Sequence, residues 1–279
     1  LDEIDLIVAD VETITIKTES DNTVDLDLSG LSMTTAGEVM SLNFTGIYDV
    51  RLEALGADVT TLDASGMGVG GAVIQTGRTA TAVSTYTGSS GADTFIMRNS
   101  GDVLTGGAGS DTLDIDYQGI LGGLNIDLSA ANQLVTIDGG GASANITGFE
   151  NVDASDYTGG SGARFTGFTT TTASTFTGTA QTDVITGGKG DDTIVVASTA
   201  VGENDVMDGG DGTDTIAITG TTDFADTDAN ITNIENVTVA SGTTVTLTGQ
   251  TEAFTITGDS GINTIIGGSA IDTITTGAG

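Results

Sequence analysis

The chain has 279 residues, with 43 Gly and no Pro, Cys, His or Trp, and its 39 acidic against 6 basic side chains give a net charge of −33. So few cations exclude nucleic acid as a partner, because phosphate binding needs clustered Lys and Arg, and they argue against anionic membrane surfaces. The lack of Cys removes disulfides, and the lack of His excludes His-based catalytic triads and His-containing zinc protease motifs.

Mean hydropathy is nevertheless slightly positive. Much of the composition is Ile, Val, Leu and Thr, most of which favour strands. The chain has apolar side chains to bury and strong self-repulsion to overcome. A bound divalent cation is the simplest neutraliser. Fluctuating disorder is the lesser alternative for so acidic a chain with few aromatics. No apolar run is long enough to span a bilayer, so no membrane insertion is expected. The opening Leu1-Asp2-Glu3 lacks the basic stretch of a signal peptide. The final Thr276-Gly277-Ala278-Gly279 falls inside a repeat, which predicts a fragment of a longer chain.

In chain order, residues 1–87 are expected to form β-solenoid rungs without a clear calcium motif. Within them, Gly66-Met67-Gly68-Val69-Gly70-Gly71 has the spacing of a dinucleotide-binding loop, but no strand–helix–strand pattern surrounds it. Residues 88–117 hold a first cluster of nonapeptides of the form Gly-Gly-x-Gly-x-Asp-x-apolar-x. These are 88–96, 97–105 and 106–114, with Asp93, Asp102 and Asp111 at the sixth place. Residues 118–177 are Thr-rich spacer rungs. In 178–217 a second cluster has Asp183, Asp192, Asp205 and Asp214 at that place, with four extra residues (196–199) in its middle. Spacer rungs return in 218–257. A third cluster, 258–279, has Asn263 and Asp272.

The eighth place holds Phe95, Leu104, Leu113, Ile185, Ile194, Met207, Ile216, Ile265 and Ile274. All are apolar, although Asp alone defines the register. The last three residues of each nonapeptide read as a short strand with its central side chain inward. The glycines permit a tight turn and leave carbonyls free to face an ion. The Asp supplies hard carboxylate oxygen, which calcium prefers. One such rung is unstable alone, so several must stack. An isolated copy would be no more than a solvated turn. Tandem copies with the inward apolar place kept favour calcium.

The spacers carry an echo of their own. Ile146-Thr147-Gly148-Phe149-Glu150-Asn151-Val152 resembles Ile231-Thr232-Asn233-Ile234-Glu235-Asn236-Val237, and residues 47–68 read as an older copy of the same larger unit. These stretches are expected as further rungs that lack ion sites. Asp114, Asp116, Asp127, Asp138, Asp153 and Asp156 lie outside the sixth place and read as surface charge.

The nonapeptides resemble the calcium-binding RTX repeats of Gram-negative exported proteins. That resemblance implies an all-β fold, a parallel β-solenoid or β-roll with Gly-Asp calcium-binding turns, and several Ca2+ ions as cofactor. It implies that each ion lies between one repeat and the second repeat after it. Asp93 and Asp111 would share an ion with carbonyls near Gly88, Ser90, Gly106 and Ala108. Asp192 and Asp214 would share another with carbonyls near Gly187, Lys189, Gly209 and Asp211, and Asp183 and Asp205 a third. Asp102 and Asp272 would sit in half-sites, and Asn263, lacking charge, would bind more weakly.

The long Thr-, Ala- and Gly-rich rungs with sparse clusters are further similar to calcium-dependent bacterial surface-layer proteins exported by type I secretion. That likeness implies a non-enzymatic structural subunit at the extracellular cell surface. Its partners would be calcium and copies of itself in a lattice, with cell-surface polysaccharide reached through another part of the chain. The alternative is the repeat region of a secreted toxin, adhesin or hydrolase whose active domain lies elsewhere. A virion or filament protein built on the same solenoid is a third reading.

Overall fold

A computed structural model describes residues 4–5, 10–18, 24–35, 38–47, 49–56, 58–68, 71–75, 83–97, 101–116, 122–133, 135–137, 142–196, 205–224 and 230–277. Every regular element among them longer than one residue is a β-strand. No helix follows Gly66–Gly71 there to carry a bound dinucleotide. The chain divides into two units, the first comprising Leu1–Gln118, Ala131–Thr136 and Gly141–Asn151, the second Gly119–Ala130, Ile137–Gly140 and Val152–Gly279.

In the first unit, successive strands alternate between two sheets as far as Thr112–Ile115, after which Val135–Ile137 and Ala142–Thr147 lie side by side in the second sheet. One sheet takes Val24–Leu28, Val50–Leu55, Ala72–Gln75, Thr94–Met97 and Thr112–Ile115, and the other takes Met40–Gly46, Val59–Met67, Thr85–Thr87, Val103–Thr105 and Ala142–Thr147. Strands of successive turns pair in parallel, as between Phe95 and Leu113 or Tyr86 and Leu104. A chain that deals strands alternately to two parallel sheets is winding a coil. The unit is a parallel β-solenoid.

The second unit is built in the same way. Thr175–Thr177, Thr193–Val196, Thr215–Ile218, Asn236–Val239, Thr255–Gly258 and Thr273–Thr275 form one wall. Ala163–Thr166, Val184–Gly188, Val206–Gly210 and Ile231–Thr232 form another, and Thr222–Asp223, Thr244–Thr246 and Thr264–Ile266 a short third.

The nonapeptide sets the coil. Two nonapeptides make one turn where no extra residue intervenes, so Phe95 stacks on Leu113. In the second cluster Ile194 pairs with Ile216 and Ile185 with Met207, a turn four residues longer. Both pairings therefore survive the insertion, most of which lies outside the described residues. The inward places form continuous apolar rows: Phe176, Ile194, Ile216, Val237 and Ile256 on one wall and Phe165, Ile185, Met207 and Ile231 on the facing one, all buried. Each such burial stabilises by roughly 1.5–3 kcal/mol. Phe165 and Phe176 stack with centroids 5.7 Å apart, and Phe95 meets Phe149 edge-on at 5.3 Å.

The last two eighth-place residues differ. Ile265 is half-buried and Ile274 is 46% exposed. Their strands, Thr264–Ile266 and Thr273–Thr275, stand last in their sheets among the described residues.

Candidate metal centre

The sixth-place residue lies immediately before each short strand, at the corner where the Gly-rich loop turns inward. Asp93, Asp102, Asp111, Asp183, Asp192, Asp205 and Asp214 are all buried there, whereas Asn263 and Asp272 are only half-buried. A buried carboxylate is costly unless it is paired, hydrogen-bonded or bound to a metal.

In Asp102, Asp111, Asp183, Asp192, Asp205 and Asp214 one oxygen has a fixed use: Oδ1 accepts the backbone amide of the equivalent residue one turn earlier. Asp93 donates to Asp111 (2.8 Å), Asp183 to Asp205 (2.8 Å) and Asp192 to Asp214 (2.7 Å). These are the three pairs that the resemblance to RTX repeats implies. The ladder begins on uncharged residues. Ser84 donates to Asp102 and Ser174 to Asp192, and Ala163 donates to Asp183. Thr243 and Phe254 donate to Asn263 and Asp272, so these two face no second carboxylate on that side.

The second oxygen divides the set. Asp93 Oδ2 accepts the amide and hydroxyl of Ser89, and both carboxylate oxygens of Asp183 are engaged by Thr179. Where the second place of the loop is Gly107, Gly188 or Gly210 there is no hydroxyl to serve. Asp111, Asp192 and Asp214 then have Oδ2 buried with no hydrogen-bond partner, as does Asp102. The hydroxyls of Ser84 and Ser174, at the opening of two columns, are buried and unpartnered as well. Six of the seven orphaned buried side-chain atoms among the described residues are thus sixth-place oxygens.

Close approach explains the first-place glycines. A side chain on Gly106 would strike the carbonyl oxygen of Gly148 and Asp111 Oδ2, and one on Gly209 would strike the carbonyl of Asn233 and Asp214 Oδ2. At Gly88 and Gly187 the obstacles are the carbonyls of Gly106 and Gly209 with Asp93 Oδ2 and Asp192 Oδ2. Carbonyl and carboxylate oxygens therefore crowd one small space between turns. Third-place residues brace the loops from outside: the amides of Ala108, Lys189 and Asp211 donate to Ser89, Phe168 and Gly188, and the Ser90 hydroxyl donates to the Gly68 carbonyl.

Burial first, and neighbouring carboxylates second, work against ionisation. Asp102, Asp111 and Asp192 are pushed up to about 6 and Asp205 to about 7, while Asp183 and Asp214 are raised. Asp93 and Glu150 charges add to the effect at Asp111, as do Asp214 and Asp191 at Asp192. A dication among them would reverse that penalty.

No group of three or more His, Cys, Asp or Glu side chains suited to a metal occurs among the described residues. The donors present are carboxylate oxygens with backbone carbonyls and hydroxyls, which is the hard all-oxygen set calcium takes. The RTX calcium-binding nonapeptide repeat matches the sequence in four copies, over residues 87–114, 168–198, 202–217 and 257–279. The chain carries RTX repeats. No curated protein matches the chain. Calcium is therefore the cofactor that these RTX turns take, and the unpartnered oxygens of Asp102, Asp111, Asp192 and Asp214 could serve it.

The RTX match from residue 168 takes in a rung, 169–177, that the Gly and Asp pattern does not reveal. Ser174 holds its sixth place and Phe176 its eighth. Ser84 and Tyr86 occupy the same places in 79–87. The legible signal in both was an apolar residue between two threonines, as in Thr85-Tyr86-Thr87 and Thr175-Phe176-Thr177. Two further residues join the ladder: the amide of Asp111 donates to Glu150 Oε2 and that of Asp214 to Glu235 Oε2, each at 2.8 Å. The echo around Glu-Asn-Val thus continues the amide ladder of the sixth-place residues. Its signal was the apolar residue two places after the acid, as in every nonapeptide.

Proposed function

We propose that this RTX solenoid is a structural part of an exported surface-layer protein, folded by extracellular calcium and assembling with copies of itself into a lattice. The carrying observation is the set of buried sixth-place oxygens without partners. They make the calcium-free fold costly, and they couple metal binding to folding. In low calcium, the net charge of −33 would hold the chain expanded and fit for export. At the millimolar calcium typical of extracellular modules the columns would fill and the coil would close.

RTX repeats typify secreted extracellular proteins, which supports an outside location. A structural rather than catalytic part is supported by the Thr- and Gly-rich rungs between the clusters and by the absence of His and Cys.

Circular dichroism and small-angle scattering during a calcium titration test the first half. A cooperative change from an expanded chain to a compact β state is expected, reversed by chelator. Signals indifferent to both would overturn it. Electron microscopy of calcium-treated protein tests the second half. A two-dimensional lattice is expected, and well-folded protein that stays monomeric at high concentration would overturn assembly while leaving calcium folding intact.

A further inference from the structure

Two places in the fold, 85 residues apart in sequence, have the same local construction. At the first, Gly148 has φ +71° and at the second Asn233 has φ +53°, both in the left-handed region. That conformation brings their carbonyl oxygens against the first-place glycines, Gly106 and Gly209 respectively. Two residues later stand Glu150 and Glu235. Each accepts the amide of the last Asp in its column, Asp111 or Asp214. Each also sends its own amide, with that of the following Asn, back to the carbonyl of that Asp. In both places the Oδ2 of that Asp is buried, unpartnered and within reach of the same carbonyl.

Both glutamates are positioned by buried neighbours. Phe149 is fully buried, meets Phe95 edge-on, and has its backbone N–H and C=O held by the buried side-chain amide of Gln133. Ile234 is buried beside Glu235, and the Asn233 side chain donates to Asp208 at 2.7 Å.

We infer that Glu150 and Glu235 each close a column with a further calcium site, made of the Asp111 carboxylate, the Gly148 carbonyl and Glu150 in one case and of the Asp214 carboxylate, the Asn233 carbonyl and Glu235 in the other. This rests on the reading of the columns as calcium-binding. It adds the spacer turns to the ligand set. The chemistry favours it over a plain hydrogen-bonded cap. A cap needs only an acceptor for one amide, and any side-chain amide would serve. The Asp carboxylate lies beside a carbonyl, and its own amide ties it to a second carboxylate, so hard oxygens suited to a dication are gathered where the orphaned Asp oxygen needs a partner. Glu is one methylene longer than Asp, and both copies use it where the next turn lacks a nonapeptide loop.

The wild type gives the direct test. Calcium-bound crystals, with anomalous differences collected for calcium, should show a peak between Asp111 and Glu150 and another between Asp214 and Glu235. Peaks confined to other sixth-place Asp residues would overturn this inference and leave calcium binding standing. No peaks at all would fail the reading beneath it. In solution, Glu150→Gln and Glu235→Gln keep the hydrogen-bond acceptor and remove the charge. Native mass spectrometry at saturating calcium should count one ion fewer for each variant and two fewer for the double variant. An unchanged ion count in all three, with β content equal to wild type, would overturn the inference.

Discussion

The backbone amide of Asp192 donates to Oδ1 of Asp214 on the next turn, 22 residues on, at 2.7 Å. One carboxylate thus fixes the register of two turns with one oxygen and faces the interior with the other. The same division holds at Asp111, whose Oδ1 takes the amide of Asp93 and whose Oδ2 has no partner. Folding and metal binding meet in single side chains.

Asp214→Ala is expected to weaken calcium-dependent folding strongly. It removes the acceptor for the Asp192 amide and one free oxygen together. The loss of a buried charge-assisted bond costs on the order of 1.5–3 kcal/mol, about a tenfold rise or more in the calcium midpoint. Asp153→Asn, in a local turn with Ser155, should shift that midpoint far less. Parallel titrations followed by circular dichroism compare the two, and equal shifts would refute the distinction.

Gly209→Ala should destabilise the calcium form by about 1–3 kcal/mol, because the new methyl has nowhere to go between the Asn233 carbonyl and Asp214. Gly242→Ala meets nothing within 4 Å and has only the cost of φ +76°, roughly 1 kcal/mol. Chemical denaturation in excess calcium ranks the pair. The prediction fails if Gly242→Ala is the worse.

Ile216→Ala empties a fully buried inward place and should cost roughly 2–5 kcal/mol. Ile274→Ala is the same chemical change at a site 46% exposed on an edge strand, and should cost well under half as much. Denaturant midpoints of both variants in excess calcium check the difference.

The pH dependence follows from burial. Folded Asp102, Asp111 and Asp192 titrate at about 6 and Asp205 at about 7, above the ordinary value of 3.8. Between those values the folded chain holds protons that the unfolded chain has released, so acid favours the calcium-free fold. This stabilisation is complete below the ordinary value and is lost as pH rises through 6 and 7. Calcium-free protein should gain β structure when pH falls from about 7.5 to about 5, while calcium affinity drops because protons compete for the same oxygens. Circular dichroism with chelator present reads the first effect. A calcium-free chain with less β structure at the lower pH would contradict it.

The amino-acid sequence by itself determined the winding. An apolar residue two places after each Asp sets which side chains face inward, and the nonapeptide period sets the length of a turn. Both are local patterns, and the burial of Phe95, Leu113, Ile194 and Ile216 follows from them. The Asp pairs came from the resemblance to RTX repeats, which implies that residues two repeats apart stack. The tertiary structure decided which of those carboxylates have a free oxygen. Ser89 and Thr179 satisfy Asp93 and Asp183, while Asp111, Asp192 and Asp214, whose loops have positive-φ glycines at that place, keep an unpartnered oxygen. It also decided where the columns open and close, at Ser84 and Ser174 and at Glu150 and Glu235. Asp111 and Glu150 are 39 residues apart and share no repeat spacing. Only the stacking of turns brings the Asp111 amide within reach of the longer Glu side chain, and no local pattern encodes that distance.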